Sequence, residues 1–176
     1  MPDFTIRRLN QADIEEFWNL RLKALKEEPS AFGKSFEEAA KIDIGQATER
    51  LKESSDAFVL GAFTGSPQLA ERDRLVGILG FFRRTGIKLR HKGIIWGVYV
   101  HPSNRGQGLA RSLMQKAVAE AKEMDGLEEI QLTVVSQNTA AIELYKSLGF
   151  FSYGLERHAL KWQAEYFDEE LLCLPL

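Results

Sequence analysis

Gly97 to Ala121, GVYVHPSNRGQGLARSLMQKAVAEA, decides how the rest of the chain is read. Val98, Tyr99 and Val100 read as the end of a strand, His101-Pro102-Ser103-Asn104 as a turn, and the residues from Leu109 onward as an amphipathic helix. Between strand and helix stand Arg105, Gly106, Gln107, Gly108, Leu109 and Ala110. Two glycines there let the backbone approach a ligand closely and turn several N–H groups toward one point, which suits a phosphate. The dinucleotide fingerprint G-x-G-x-x-G would need a third glycine where Arg111 stands, and the nucleotide P-loop G-x-x-x-x-G-K-[ST] is absent.

Downstream, Glu129 to Val135, EIQLTVV, alternates as a strand with Ile130, Leu132 and Val134 on one face. The next segment places Ala141, Leu144, Tyr145 and Leu148 on one helical face, with Asn138 as N-cap and Gly149 as the stop. Taken together, R-x-x-G-x-A after a V-x-V strand, and N-x-x-A-x-x-L-Y-x-x-L-G-F from Asn138 to Phe150, resemble the two signatures of the GCN5-related N-acetyltransferases (GNAT). The two motifs span about residues 96 to 153.

That resemblance implies an α/β (α+β) fold: a mixed, mostly antiparallel central sheet, splayed at the coenzyme site and flanked by helices. It implies acetyl-CoA as co-substrate, with Val98, Tyr99 and Val100 offering main-chain groups to the pantetheine arm. Arg105, Gly106, Gln107, Gly108, Leu109 and Ala110 would wrap the pyrophosphate, followed by Arg111 and Ser112 at the helix start. Asn138 and Ala141 would reach the pantetheine from the second motif, and Tyr145 would lie beside the coenzyme sulfur. The segment between the first two helices would wall the acceptor pocket, which makes Phe32, Ser35 and Glu38 expected substrate-side residues, joined by Trp96 and Tyr166.

Composition sets bounds on these expectations. A chain of 176 residues, 44% hydrophobic, suits one N-acetyltransferase domain over residues 1–176. With 23 basic and 25 acidic residues and a net charge of −2, no global field draws nucleic acid or an anionic membrane. The N-terminus lacks the pattern of a signal peptide and no apolar run approaches a membrane span, so a cytoplasmic protein is expected. The lone Cys173 cannot form an intrachain disulfide and sits in the apolar run ELLCLPL, read as a buried or paired strand. That apolar strand makes a homodimer an open option beside a monomer. No metal is expected.

Phe4 to Leu9 reads as a strand, followed by a helix from about Asp13 to Lys26 capped by Asn10 or Asp13 and ended by Pro29. Its stripe is Ile14, Phe17, Trp18, Arg21, Leu22 and Leu25, mainly apolar. Residues 29–38 read as a loop or short helix, in which Phe32 and Phe36 either anchor an acceptor wall or plug the core. A second helix is expected from Ile44 to Glu53, then strands at Phe58–Phe63 and Leu75–Phe82 joined by a polar turn from Thr64 to Arg74. Glycines 61, 77 and 80 mark close approach of backbone or ligand, or ordinary bulges. The basic run from Arg83 to Lys92 reads as a solvated hairpin tip, with a contact to an acidic acceptor or the coenzyme's outer phosphate as the alternative. Gly93 to Val100 is the central strand, and the tail from Phe151 reads as a last hairpin, whose acidic Glu165, Asp168, Glu169 and Glu170 either meet a cationic acceptor or form a solvated turn.

Direct attack of an amine on a thioester needs a deprotonated nucleophile, a bound thioester, a stabilised oxyanion and a proton for the departing thiolate. A lysine-like amine of pKa about 10.4 is unprotonated only at a level on the order of 10⁻³ at neutral pH, so a base or a water relay is useful. Tyr145 suits the acid, because a phenol of reference pKa about 10 keeps its proton at neutral pH. The base is not legible: the central strand carries no acidic residue, and Glu38, His101 and His158 stand level. The expected activity is acetyl transfer to a small-molecule or peptide amine. A catalytically idle acyl-CoA-binding module on the same fold, or a purely structural protein, are the other readings.

Overall fold

The computed structural model describes residues 4–65 and 74–176 of the chain. Seven strands form one sheet in the order β1-β2-β3-β4-β5-β7-β6. They are β1 (Phe4–Arg8), β2 (Ala57–Thr64), β3 (Arg74–Arg83), β4 (Lys92–Val100), β5 (Glu129–Val135), β6 (Phe151–Trp162) and β7 (Glu165–Pro175). Every neighbouring pair is antiparallel except β4 with β5, which is the mixed, mostly antiparallel sheet expected. Five α-helices flank it: α1 (Ile14–Glu27), α2 (Phe36–Ala39), α3 (Ile44–Thr48), α4 (Leu109–Lys122) and α5 (Thr139–Ser147). The turn expected between Thr64 and Arg74 falls mostly on residues 66–73, outside the described residues.

Helix termini follow local chemistry. Asn10 caps a 3-10 turn, Gln11–Asp13, by accepting from the Ala12 amide, and Asp13 reaches back to the Asn10 amide to complete a capping box. Arg7 binds Asp13 through two hydrogen bonds of 2.8 and 2.6 Å and lies over the Phe63 ring, which fixes the entry of α1 against the sheet edge. At the far end, the Glu28 amide bonds back to the Ala24 carbonyl and Pro29 opens a second 3-10 turn, Pro29–Ala31. The expected helix from Ile44 to Glu53 is shorter, breaking at Glu49 into a 3-10 turn.

Two apolar cores sit on opposite faces of the sheet. Leu109, Leu113, Met114, Ala117 and Ala121 of α4 pack on one face with Ile130, Leu132 and Tyr145. Phe17, Trp18, Ala24 and Leu25 of α1 pack on the other with Ile78 and Tyr99. β7, which carries the apolar C-terminal run, lies between β5 and β6, with Leu172 fully buried and Cys173 nearly so. The run is therefore consumed inside its own sheet, and the free edge at that side is β6. Among the described residues no helix is long and apolar enough to cross a membrane.

The basic run folds as the β3–β4 turn. Arg83 donates to the Arg90 carbonyl, Arg90 pairs with Asp56 at 3.1 Å, and Lys92 pairs with Glu129 at 3.1 Å. This turn lies at the beginning of β4, whereas the residues expected to hold a ligand lie at its end.

Candidate active site

Between β4 and β5 the sheet comes apart. The two strands pair only from Lys92 to Ile94 against Glu129 to Gln131, and nothing joins them beyond that point. The cause lies in β4: Gly97, at φ 65°, creates a bulge, so that Tyr99 faces Ile78 while Trp96 faces Gly80. Gly80 is itself a close-approach position. A Cβ there would come within 2.0 Å of the Trp96 ring, so the absent side chain is what lets the indole lie against β3.

The wedge opens into a cavity of about 710 Å³. Val98, Tyr99 and Val100 line it from β4, Asn138, Ala141 and Tyr145 from the α5 side, and Arg105, Gly106, Gly108, Leu109, Ala110 and Arg111 from the turn and first turn of α4. Gln107 and Ser112 stand outside this lining. The Gln107 side chain is exposed, and the Ser112 amide is already bonded to the Gly108 carbonyl.

Gly106 and Gly108 both adopt left-handed backbone, at φ 76° and 80°. A Cβ at either would meet no protein atom within 4 Å, so the protein's own packing does not demand glycine here; the backbone angle does. With Gly108 as N-cap and no side chain capping α4, the first amides of the helix have no partner inside it, and they sit beside the cavity at the positive end of the helix dipole. That is the donor set a pyrophosphate requires.

Two arginines brace this turn. Arg105 donates through Nε to the Val100 carbonyl at 3.0 Å, forms an ion pair with Glu28 and lies over the Tyr99 ring, tying the turn to both β4 and the end of α1. Arg111 donates to the Ser147 hydroxyl at 2.9 Å, linking α4 to α5. Tyr99 turns its side chain into the α1-face core and donates to Glu27 at 3.1 Å; burial and the Glu27 carboxylate push its phenol up to about 12. Glu27 is in turn held by Lys23. Glu27 and Glu28 both line the cavity and were not anticipated, since nothing in the local sequence at the end of α1 announces a tertiary role.

Tyr145 is 7% exposed, packs against Phe150, and borders both the main cavity and a smaller one of about 80 Å³ beside it. Burial pushes its phenol up to about 12, and its hydroxyl makes no hydrogen bond to the protein among the described residues. Asn138 caps α5 through its side-chain oxygen, which accepts from the Ala141 amide at 3.2 Å, leaving its NH₂ group uncommitted where it borders both cavities.

Phe32, Trp96 and Gly97 line the smaller cavity that Tyr145 also borders, together with Thr133 of β5. Ser35 and Glu38 do not. They form a capping box at the start of α2, in which each side chain bonds the other residue's amide at 3.1 Å, and the Ser35 hydrogen bonds hold the Glu38 carboxyl below its usual range. The pattern S-x-x-E was the available signal for that role. Tyr166 is exposed on the β6–β7 hairpin, where it stacks on His158 at 4.5 Å, and neither ring lines either cavity. His101 accepts from the Ser103 amide as a local cap and borders a separate depression with Glu16 and Lys23. The hairpin carries one further group of note. Glu169 lies opposite Val135 in the β5–β7 register, and burial, with Glu156 beside it, raises its carboxyl above the usual range despite a hydrogen bond from Thr133.

Residues 19–150 match the model described as the Acetyltransferase (GNAT) family. An uncharacterized N-acetyltransferase of Methanocaldococcus jannaschii is 29% identical over 149 residues, covering 84% of this chain and 60% of that protein, so the chain spans about 60% of that relative's length. Among solved structures, the acetyltransferase of GNAT family from Streptococcus pneumoniae has a TM-score of 0.86 at 20% identity, over 99% of this chain and 100% of that one. YncA from Salmonella typhimurium, solved with its cofactor acetyl-CoA, has a TM-score of 0.79 at 23% identity, over 98% and 94%. At these identities the two structures share its fold.

Proposed function

This chain belongs to the acetyltransferase (GNAT) family, and we propose that it transfers an acetyl group from acetyl-CoA to a primary amine by direct attack within a ternary complex. The observation that carries the reading is one cavity lined from the unpartnered amides of the α4 N-terminus, along the unpaired edge of β4, to Tyr145. A thioester supplies the activated acetyl carbon. The chain's own residues then have four tasks.

The left-handed turn at Gly106 and Gly108 and the first turn of α4 bind the pyrophosphate. Val98 to Val100, freed from β5 by the Gly97 bulge, offer ladder groups to the extended pantetheine arm, and the Asn138 NH₂ bonds it from the other side. In the chemical step the amine nitrogen bonds the acetyl carbon, the carbon–sulfur bond breaks, one proton leaves the nitrogen and one arrives on the sulfur. Tyr145 delivers the proton to sulfur, since a phenol held near 12 remains protonated throughout the working range. For the proton leaving nitrogen, Glu169 fits better than Glu38, His101 or His158. A carboxyl raised above its usual range is a stronger base than an ordinary carboxylate, and its partner Thr133 lines the smaller cavity.

Thiol release from acetyl-CoA over a panel of amines tests the reading. Acetylated product with any amine class supports transfer, and coenzyme binding without turnover on every class would instead support the idle binding module.

A further inference from the structure

On the α1 face of the wedge, a positive charge is buried without an anion. Arg21, the one charged residue in the apolar stripe of α1, sends its guanidinium between the rings of Phe32, at 4.8 Å, and Trp96, at 5.6 Å. Its Nη1 is fully buried and has no hydrogen-bond partner. Arg50, at the end of the α3 region, lies over the same Trp96 ring at 5.3 Å. Neither arginine forms an ion pair among the described residues. Burial, with the like charge of Arg50 beside it, pushes the Arg21 guanidinium down to about 10, so it remains charged at neutral pH. Two cations side by side, one of them desolvated, cost stability unless an anion joins them.

The pair lies beside the wedge. A Cβ added at Gly97 would lie 3.3 Å from Arg21 Nη1, so the guanidinium lies against the backbone bulge that opens the wedge. Gly97, Phe32 and Trp96, which surround Arg21, also line the smaller cavity, and Tyr145 borders that cavity as well. A group held by the arginine pair is therefore neighbour to the group whose amine would face Tyr145.

We propose that Arg21, supported by Arg50, is the carboxylate-binding subsite for the acceptor, and that the acceptor is an amine that also carries a carboxylate, as an α-amino acid does. A guanidinium presents parallel N–H donors to both carboxylate oxygens, and the aromatic rings around it fix its plane and exclude water. This rests on the transfer reading above, but it is separable from it by measurements of binding.

The test compares the twenty L-amino acids with their carboxamides, which keep the amine and lose the negative charge. Turnover is measured as thiol release, and binding is measured by calorimetry with the corresponding N-acetyl amino acids and N-acetyl carboxamides. The expected result is that free acids exceed their carboxamides by on the order of tenfold or more in kcat/KM and in affinity. Arg21→Met should abolish that preference by lowering the acids to the level of the carboxamides, with acetyl-CoA affinity unchanged. Arg50→Met, at an exposed position, should reduce the preference and serves if Arg21→Met does not fold. Equal handling of acids and carboxamides by the wild type, or a preference that survives both substitutions, overturns the subsite. If no amine is acetylated while N-acetyl amino acids still bind in preference to their carboxamides, the transfer reading fails and the subsite stands; if neither series binds, the subsite fails too.

Discussion

Tyr145 is the residue to which the proposed reaction assigns the proton for the departing sulfur. Its side chain is buried while the hydroxyl, unbonded by the protein among the described residues, borders two cavities, so in the proposed reaction removing it deletes a proton donor and little packing. Tyr145→Phe should lower kcat by about 10²-fold, the lower end of what a positioned acid contributes, and leave acetyl-CoA affinity within twofold to threefold, read by steady-state kinetics beside calorimetry. An unchanged kcat removes Tyr145 from the mechanism. Because its phenol is pushed up to about 12, ionisation of Tyr145 should cause no fall in kcat below about pH 10, and the pH–rate profile of wild type checks this. Gly108 offers the matching test for binding. A side chain at φ 80° costs about 1–2 kcal/mol, so Gly108→Ala should lower the unfolding free energy by that amount in urea titration and weaken acetyl-CoA binding. At this scale the sequence was legible wherever a residue type has one backbone consequence. Gly106 and Gly108 read as a turn of closely approaching backbone, which the structure realises with left-handed angles, and Asn138 reads as the cap that it forms. Arg21 was visible as a charge within an apolar stripe, but its unpaired state depends on Trp96 and Phe32 arriving from elsewhere in the chain, which no local pattern encodes. For Ser35 and Glu38 the local capping box was legible, and the structure spends both side chains there.

The ends of α4 and α5 follow from the sequence because each cap is local. The wedge between β4 and β5 does not, because it depends on a bulge defined by pairing with β3. Gly80 and Trp96 meet across that pairing, and Gly80→Ala should displace the indole and cost roughly 1–3 kcal/mol, with a changed Trp fluorescence spectrum as the accompanying sign. The β1–α1 junction gives a pH-dependent prediction. Hydrogen bonding to Arg7 holds the Asp13 carboxyl below its usual value, so this pair stabilises the fold above the unfolded pKa of about 3.9 and loses that contribution as pH falls through the lower folded value. Asp13→Asn should therefore be less stable than wild type by a constant amount between about pH 5 and 8, and the gap should narrow progressively as pH falls below the unfolded pKa of about 3.9, as followed by urea midpoints. A gap that persists at low pH would mean that the capping geometry, rather than the charge, carries the effect.

For the whole molecule, the two faces of the sheet divide the work. The α4–α5 face, with its core around Leu113, Met114 and Ile130, positions the turn at Gly106 and Gly108, the proposed coenzyme cradle, and Tyr145. The α1–α3 face, with its core around Phe17 and Leu25, brings Arg21, Phe32 and Trp96 to the side proposed for the acceptor. The first face was readable from two contiguous motifs, because about a dozen residues hold a strand end, a turn and a helix start in the first and a whole capped helix in the second. The second is assembled from residues 21, 32, 50 and 96, whose proximity is purely tertiary. The claim on which both halves depend is that the β4–β5 wedge holds acetyl-CoA. Isothermal titration of acetyl-CoA into the wild-type protein tests it most directly: saturable binding at one site per chain, weakened by Gly108→Ala, is the predicted result, and the absence of binding heat across a range of temperatures would contradict it.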